Sequence, residues 1–260
     1  MAAAGGAAAD TPRRVLVTGG ARGLGRAVVT DLAAAGYDVV FTYNASSDAA
    51  EELAGELGRE HPGRSFETRQ LDLSDRESVA GFVAALEDDA PYYGLVHNAG
   101  QSYDSLAAVM DQERAETAMQ VNFWSLTRLV GGLVRRMTRA REGRIVLIGS
   151  VTAMRGSVGN AAYAASKAAL MGYMRTLALE TAKRGVTVNY VAPGFIDTDM
   201  MAPYAGYREK MEGQIPVGRF ASPDEIASVV GFLMSPASRY MTGTVLPVDG
   251  GLTAAMPVHR

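Results

Sequence analysis

The chain has 260 residues, of which 48% are hydrophobic and 20% charged, and this length and composition suit one large α/β domain. The chain has no cysteine, so disulfides and thiolate metal sites are excluded and a reducing, cytoplasmic setting is expected. The histidines are scattered, so no metal cluster is expected. A net charge of −3 argues against general nucleic-acid binding, and no window approaches the roughly 18 consecutive apolar residues that span a membrane.

Residues 1–12, rich in Ala and Gly, are predicted to form a disordered tail, and residues 13–260 a single catalytic domain. Beyond the tail, short and nearly all apolar runs, typical of strands buried on both faces of a parallel sheet, alternate with longer helical patterns. The predicted strands are Val15–Thr18, Asp38–Tyr43, Ser65–Gln70, Gly94–His97, Arg144–Gly149, Thr187–Val191 and Thr244–Val248. The predicted helices are Gly25–Ala35, Asp48–Glu60, Asp75–Glu87, Asp111–Thr138, Tyr163–Lys183 and Ser222–Ser235.

Two of these helices begin with residues that suit a capping box. Asp48 with Glu51 and Ser222 with Glu225 have the required spacing, and Pro223 stands where a first-turn proline is tolerated. Repeated strand–helix–strand units imply right-handed crossovers. The sequence therefore predicts a doubly wound, Rossmann-type parallel sheet of about seven strands with helices on both faces.

The first predicted strand ends in a glycine-rich turn that leads straight into a helix. The residues Thr18–Gly25 read T-G-x-x-x-G-x-G, which differs from the usual G-x-G-x-x-G spacing. Glycines in such a turn let backbone N–H groups approach a pyrophosphate at the helix N-terminus. The turn predicts a dinucleotide site, although a glycine-rich turn without a ligand is the alternative.

A tyrosine and a lysine lie one helical turn apart in a predicted helix. Tyr163 and Lys167 share a helix face, so a lysine ammonium is expected to lower the pKa of the tyrosine toward the working range of an acid–base catalyst. Ser150 follows the fifth strand, where sites in open α/β sheets form, and its hydroxyl would hold a substrate oxygen. By itself a Y-x-x-x-K pair is most often a surface feature, and its context gives it weight.

With these motifs in order, the chain from Arg13 to Leu252 resembles the short-chain dehydrogenase/reductase family. The matching pieces are the glycine turn Thr18–Gly25, Asp72-Leu73, Asn98-Ala99-Gly100, Asn122, Ser150, Tyr163 with Lys167, and Pro193-Gly194. The resemblance implies an enzyme that moves a hydride between a nicotinamide cofactor and a carbonyl or alcohol carbon.

The resemblance also implies a role for each matching residue. Tyr163 would protonate the carbonyl oxygen, Ser150 would hydrogen-bond it, and Lys167 would bind the nicotinamide ribose. Asn122 would position a water that relays protons to Lys167, or would merely cap backbone groups. Asp72 would contact the adenine, unless it caps a helix. The implied cofactor-binding set is Gly19, Arg22, Gly23, Leu24, Gly25, Asn44, Ser46, Asp72, Leu73, Asn98, Ala99, Gly100, Tyr163, Lys167, Pro193, Gly194, Ile196 and Thr198.

The second strand suggests which nicotinamide cofactor is used. An acidic residue at its tip would bind a ribose 2′-OH and indicate NAD, but the strand is followed by Asn44-Ala45-Ser46-Ser47. Asp48 comes late and suits a helix cap better. Arg22, helped by Asn44 and Ser46, is placed to meet a 2′-phosphate, so NADP(H) is predicted.

Within the family, the stretch Asn189–Met200 looks most like the β-ketoacyl-acyl carrier protein reductases. In those enzymes arginines beside the site entrance dock the acidic carrier protein, and Arg141 and Arg184 occupy matching positions, where solvated helix-end cations are the plainer interpretation. Residues 193–218 are rich in Met and aromatic side chains and suit a mobile lid or a packing segment. The run Gln101–Asp104 departs from the Thr-Arg-Asp pattern often found in fatty-acid reductases, which leaves room for a specialised polyketide or polyene ketoreductase.

Three hypotheses follow. The first is an NADPH-dependent reductase of β-ketoacyl thioesters carried on acyl carrier protein, of fatty acid or polyketide type, and the resemblance implies a homotetramer with the two long helices between subunits. The second is a dehydrogenase of a free sugar, steroid or small alcohol. The third is a nucleotide-sensing protein without catalysis, which the presence of Asn122, Ser150, Tyr163 and Lys167 argues against.

Overall fold

The computed structural model describes residues 13–255 and shows a seven-stranded sheet in the order β3-β2-β1-β4-β5-β6-β7. The strands are β1 (Arg14–Thr18), β2 (Asp38–Tyr43), β3 (Phe66–Gln70), β4 (Gly94–His97), β5 (Gly143–Ile148), β6 (Val186–Pro193) and β7 (Val245–Val248). Every neighbouring pair is parallel. The predicted doubly wound class is therefore confirmed, and the tail predicted for residues 1–12 lies outside the described residues.

Within the described range, eight α-helices connect the strands. They are α1 (Gly23–Ala34), α2 (Ser47–Glu60), α3 (Arg76–Ala85), α4 (Gln112–Met119), α5 (Ser125–Ala140), α6 (Ala161–Thr181), α7 (Arg208–Glu212) and α8 (Pro223–Met234). The single helix predicted for Asp111–Thr138 is interrupted, because a π-helical turn, Gln120–Trp124, separates α4 from α5. In the part of the chain that the structure describes, no helix combines the length and apolar character that crossing a membrane requires.

The sheet separates two hydrophobic cores. Along β1, Val15 and Val17 point into the core under α1, α2 and α8, while Leu16 points into the core under α3, α5 and α6. This alternation follows from the two-residue period of a strand, and both faces are covered because parallel crossovers place helices on each side. The strand order reverses between β1 and β4, so a crevice forms at the carboxyl ends of these strands.

Two local predictions are wrong. Both edge strands, β3 and β7, are only half-buried, and β3 also carries Glu67 and Arg69, so neither is the doubly buried strand expected. An edge strand has one unpaired side and more solvent, which tolerates charge. The capping box of Asp48 is also absent, because α2 begins at Ser47 and Asp48 already lies in its first turn.

The other capping box is present as predicted. The hydroxyl of Ser222 accepts a hydrogen bond from the backbone N–H of Glu225, and the Glu225 carboxylate accepts one from the Ser222 N–H. Pro223 occupies the first turn of α8. This box fixes the start of the helix that packs against α1 and so supports the glycine turn from behind.

Candidate active site

The glycine turn joins β1 to α1 in a conformation that only glycine tolerates well. Gly19 and Gly23 have φ angles of +67° and +52°. A side chain on Gly25 would put its Cβ 1.9 Å from the carbonyl oxygen of Gly19, so the chain can fold back there only without one. The first turn of α1 carries no side-chain cap, which leaves its backbone N–H groups available to a ligand.

The fold brings other predicted cofactor residues against this turn. A Cβ on Gly19 would lie 3.0 Å from Cα of Ala99, and one on Gly23 would lie 3.5 Å from Cγ2 of Thr198. Asn98 donates from its side-chain amide to the carbonyl of Gly19 at 2.9 Å. Residues after β1, β4 and β6 thus line one crevice at the carboxyl edge of the sheet.

The residues predicted to meet the adenine half differ in what they offer. The carboxylate of Asp72 accepts hydrogen bonds from the backbone N–H and the hydroxyl of Ser74, at 2.8 and 2.6 Å, and these bonds lower its pKa. Asp75, not Asp72, caps α3. Leu73 is buried in the core, so only its backbone is available to a ligand.

The residues predicted to bind a 2′-phosphate follow β1 and β2, two neighbouring strands. Arg22 and Asn44 are exposed, and Ser46 is half-buried just before α2. Among the ion pairs of residues 13–255, none involves Arg22. The guanidinium is therefore free to meet an anion at the edge of the crevice.

The catalytic candidates meet at the ends of β5 and α6. Lys167 is 3% exposed, and its ammonium donates to the carbonyl of Ile148 at 3.0 Å and lies 5.8 Å from the ring centre of Tyr163. Ser150 comes two residues after Ile148, and its hydroxyl accepts from the N–H and the hydroxyl of Thr152 at 3.2 and 2.9 Å. It also lies near enough to the phenol of Tyr163 to lower the pKa of that group. Because α6 begins at Ala161, Tyr163 and Lys167 lie on successive turns of its first half.

The pKa values of this group differ from the sequence-based expectation. Burial raises the pKa of Tyr163 to about 12, the interaction with Ser150 lowers it, and the charge of Asp104 raises it. Burial lowers the pKa of Lys167 to about 8. The predicted depression of the Tyr163 pKa by Lys167 is therefore wrong for the protein alone, since loss of hydration outweighs the other effects.

Asn122 lies in the π turn and is completely buried. Its side-chain oxygen accepts from the N–H of Gln101 at 2.8 Å, and its amide donates to the Gln101 carbonyl at 2.9 Å and to the Ser166 hydroxyl at 2.8 Å. Both amide protons are therefore used within the protein. The side chain holds the loop after β4, and the backbone carbonyl, which lies 3.2 Å from Nε2 of His97, keeps its second lone pair for the predicted relay.

Gly100 fits closely against this cluster. A Cβ there would lie 2.9 Å from the Lys167 ammonium and 3.2 Å from the side-chain oxygen of Asn122. The segment Asn98–Gly100 thus lies between the glycine turn and Lys167, close to both the candidate cofactor site and the candidate catalytic residues.

Tyr190 is a site residue that the sequence motifs did not single out. It is fully buried on β6, and its hydroxyl accepts from the N–H of Ser150 at 3.0 Å and donates to the carbonyl of Lys167 at 3.2 Å. Its ring fills the space beside Gly149, where a Cβ would lie 1.7 Å from the ring carbon Cζ. The phenol of Tyr190 thus joins the loop that carries Ser150 to helix α6.

Replacing Tyr190 with Phe is expected to destabilise the fold by about 1–3 kcal/mol, because two buried backbone groups lose their partner. The catalytic rate should fall as well, since Ser150 and the backbone of Lys167 lose a common support. Urea unfolding and steady-state kinetics measure the two effects. An unchanged midpoint and rate for Tyr190→Phe would show that the bridge is not needed.

The run Gln101–Asp104, which departs from the family pattern, has defined contacts. Tyr103 is buried, accepts from the N–H of Asp111 at 2.8 Å and stacks under the guanidinium of Arg114. Asp104 accepts from the side-chain amide of Asn160 at 2.9 Å, just before α6. These bonds tie the loop after β4 to the helix that carries Tyr163.

The proposed lid, residues 193–218, folds as a 3₁₀ run, Asp199–Tyr207, followed by α7. Arg208 pairs with both carboxylate oxygens of Asp197, at 2.8 and 2.9 Å, and lies over the ring of Phe220. Together with Tyr204 these side chains surround a cavity of about 260 Å³. The first residues of this segment are held in place, because Pro193 ends β6, Gly194 packs against Asp249 and Ile196 pairs with Ala221. The helical part that follows is exposed.

The two arginines predicted to dock a carrier protein lie together at the surface. Arg141 ends α5 with φ +57° and donates to the carbonyl of Lys183 at 3.2 Å, next to Arg184. They precede β5 and β6, whereas Ser150 and Tyr163 follow β5. Arg141 and Arg184 therefore lie at the amino ends of the strands, whereas the catalytic candidates lie at the carboxyl ends. Within one chain, a six-residue strand separates the two sets by about 20 Å.

Metal chemistry has no visible site in this crevice. Over residues 13–255 no group of three or more His, Asp or Glu side chains could hold a metal ion. What the crevice does offer is a hydroxyl and a phenol close together, a buried ammonium, and a glycine turn with free N–H groups.

Comparison with known proteins agrees with this arrangement. Residues 19–253 match the family model described as enoyl-(acyl carrier protein) reductase. The 3-oxoacyl-acyl-carrier-protein reductase FabG of Pseudomonas aeruginosa is 43% identical over 245 residues, covering 91% of this chain and 96% of that protein. The FabG of Escherichia coli is 40% identical over 238 residues, with the same coverage.

Solved structures give the same picture. A short-chain dehydrogenase/reductase family protein superimposes with a TM-score of 0.84 at 33% identity, over 94% of this chain and 98% of that one. A blue fluorescent protein from a metagenomic library, in complex with NADPH, gives 0.85 at 35% identity with the same coverage. The chain therefore belongs to the short-chain dehydrogenase/reductase family and is an oxidoreductase of CH–OH and C=O groups that is similar to 3-oxoacyl-acyl-carrier-protein reductases.

Proposed function

We propose that the protein uses NADPH to reduce a β-ketoacyl thioester, carried on acyl carrier protein, to the β-hydroxyacyl product. The observation that carries the proposal is the meeting of Ser150 and Tyr163 beside a buried Lys167 at the crevice that the glycine turn lines. A hydroxyl and a phenol close together suit one substrate oxygen, which becomes an alkoxide as the carbonyl is reduced. The similarity to 3-oxoacyl-acyl-carrier-protein reductases supports the substrate class.

The residues of the crevice fit a nicotinamide dinucleotide. The glycine turn folds back so tightly that a Cβ at Gly25 would collide with the Gly19 carbonyl, and the uncapped N-terminus of α1 offers N–H groups to a pyrophosphate. Exposed Arg22, with Asn44 and Ser46, favours the 2′-phosphate of NADPH, and no acidic side chain stands at the tip of β2 to prefer a free 2′-OH. When bound, NADPH supplies the hydride.

The chain's own residues handle the proton. Tyr163, with its pKa raised to about 12, is a neutral phenol at pH 7 and can donate to the forming alkoxide. Ser150 hydrogen-bonds the same oxygen and stabilises its developing charge. Lys167 places a positive charge below both groups, which stabilises the tyrosinate left after the transfer. A neutral phenol suits reduction, whereas oxidation requires the phenolate as base.

The lysine predicts the pH dependence. Because burial lowers the Lys167 pKa to about 8, the ammonium is present below that pH and is lost as the pH rises through it. The value of kcat/KM for NADPH, which reports ionisations of the free enzyme, is therefore expected to fall above pH 8. A profile that stays flat to pH 10 would contradict a role for the charged lysine.

The carrier is proposed to dock on Arg141 and Arg184 of a neighbouring subunit in a homotetramer. The outer side of the α5–α6 layer exposes Trp124 and Leu179, at 50% and 82%, and is the surface proposed for self-association. Packing of α6 against its copy about a twofold axis perpendicular to the helix would run the two helices antiparallel. The Arg184 end of one helix would then lie near the Tyr163 end of the other, which brings docking surface and active site together.

NADPH oxidation at 340 nm with a substrate panel tests the proposal. The panel holds β-ketoacyl and 2-enoyl thioesters, each on carrier protein and on a pantetheine mimic, beside free sugars and steroids. Turnover confined to β-ketoacyl thioesters supports the proposal. Preference for the 2-enoyl thioesters, which the family-model description names, for free alcohols, or for NADH would overturn it, and no turnover at all would favour a nucleotide-sensing protein.

Charge reversal tests the docking part separately. Arg141→Glu with Arg184→Glu is expected to raise KM for the carrier-bound substrate about tenfold or more, because like charges then face an acidic partner. The pantetheine substrate should be affected less than twofold. Equal loss on both substrates would place the effect in the active site instead.

A further inference from the structure

His97 is a buried titratable side chain that the proposed mechanism does not use. It ends β4 and is completely buried. Burial, together with the charge of nearby Lys167, lowers its pKa to about 3, so the imidazole is neutral under working conditions. One ring nitrogen of a neutral imidazole carries the proton and the other accepts a hydrogen bond, and the contacts of the ring determine which.

The contacts of Thr18 settle the first nitrogen. The hydroxyl oxygen of Thr18 accepts from the backbone N–H groups of Asn98 and Ala99, both at 3.1 Å, which occupies its two lone pairs. Its third close neighbour is Nδ1 of His97, also at 3.1 Å. The hydroxyl proton must therefore point at Nδ1, and Nδ1 must be the unprotonated nitrogen.

The second nitrogen then carries the proton. Nε2 of His97 lies 3.2 Å from the backbone carbonyl oxygen of Asn122 and donates to it. That carbonyl belongs to the π turn Gln120–Trp124, where the regular α-helical hydrogen-bond ladder is interrupted. The imidazole thus spans from Thr18, the first residue of the glycine turn, to the backbone of Asn122, the proposed relay residue.

We propose that His97, held as the Nε2–H tautomer, is a positioning residue that fixes the NADPH-binding turn and the Asn122 carbonyl relative to each other. The inference rests on the proposed function for its catalytic consequence, although the tautomer itself does not. The family motifs predict neither contact of His97, because Thr18 is 79 positions away from it in the sequence and Asn122 is 25 positions away.

Two substitutions separate the two contacts. An Asn side chain places its polar atoms near the former Nδ1 and can accept from Thr18, but it cannot reach Asn122. A Gln side chain places its amide near the former Nε2 and can donate to Asn122, while Thr18 loses its acceptor. His97→Asn and His97→Gln thus each keep one half of the bridge, and both keep a polar group in the cavity.

The kinetic test compares these variants in NADPH binding and turnover. His97→Gln is expected to weaken NADPH binding, measured by fluorescence titration without substrate, about tenfold more than His97→Asn does, because it disturbs the turn. His97→Asn is expected to lower kcat about tenfold more than His97→Gln does, because the Asn122 carbonyl loses its donor. Thermal unfolding of each variant accompanies these measurements. If both variants lose NADPH affinity and kcat to the same extent, in proportion to their loss of melting temperature, His97 serves only in packing and the proposal is overturned.

The tautomer is measured directly by ¹⁵N NMR of histidine-labelled protein. The chain has three histidines, so comparison with His97→Gln assigns the signals of His97. A protonated Nε2 and an unprotonated Nδ1, unchanged from pH 5 to 9, are expected. An Nδ1–H tautomer, or titration within this range, would overturn the inference whether or not the protein reduces a ketoacyl thioester, so a wrong substrate and a wrong role for His97 give different results.

Discussion

Replacing Tyr163 with Phe is expected to lower kcat for reduction about 10²–10⁴-fold, the usual contribution of a positioned general acid. The change removes one hydroxyl, and the ring still fills its place beside Lys167. NADPH binding should therefore stay within about threefold, because the phenol acts on the substrate oxygen during the reaction. Rapid single-turnover mixing with excess enzyme measures the chemical step without product release.

A tyrosine in the same helix provides the matched control for this variant. Tyr173 is half-buried on α6, contacts Phe123 edge-on, and its hydroxyl takes part in no side-chain hydrogen bond among residues 13–255. Tyr173→Phe should leave the rate within about twofold, since a partly exposed hydroxyl contributes little. If Tyr163→Phe retains the rate of the unsubstituted enzyme, the proton comes from another group and the proposed roles of Ser150 and Lys167 lose their basis.

The second large effect is expected at Gly25. In Gly25→Ala the new Cβ would lie 1.9 Å from the carbonyl oxygen of Gly19, which is backbone and cannot turn aside. The turn must open, and the N–H groups at the start of α1 then lose their arrangement around the pyrophosphate. NADPH affinity is expected to fall at least about 100-fold, or about 2.7 kcal/mol.

Gly58→Ala is the control for Gly25→Ala, because it adds the same methyl group inside another helix. Nothing lies within 4 Å of a Cβ on Gly58 in α2, so this variant should bind NADPH normally and gain about 0.5–1 kcal/mol of stability. Fluorescence titration measures affinity, and circular dichroism confirms that each variant is folded. Folded Gly25→Ala protein with a threefold or smaller loss of affinity would show that the turn does not hold the cofactor.

The sequence predicted the strands and the main chemical motifs because both depend on local pattern. The apolar runs of β1, β2, β4, β5 and β6 are short and flanked by turn residues, and the glycine turn and the Tyr163–Lys167 pair each occupy a few consecutive residues. The π turn was missed because the helical pattern continues through residues 120–124 and no proline or glycine marks the interruption.

The rest of the site depends on contacts between distant residues. Tyr190 meets Ser150 from 40 positions away, and no spacing rule relates the two. The sign of the Tyr163 pKa shift was predicted wrongly because the neighbouring lysine is visible in the sequence, whereas burial of the phenol is set only by packing. Arg141 and Arg184 likewise lie at the amino ends of the strands, away from Ser150, because of the direction in which the strands run. Their short distance from Ser150 in the sequence does not reveal this.

The most direct test of the central claim follows the hydride itself. The enzyme is incubated with NADPH that carries deuterium at C4 of the nicotinamide, on each face in turn, and with a β-ketobutyryl thioester on carrier protein, and the product is examined by mass spectrometry and NMR. Transfer from one face, with a single deuterium on C3 of a β-hydroxybutyryl product, is the predicted result. Deuterium elsewhere in the acyl chain, or a substrate recovered unlabelled, would contradict a ketoacyl reductase.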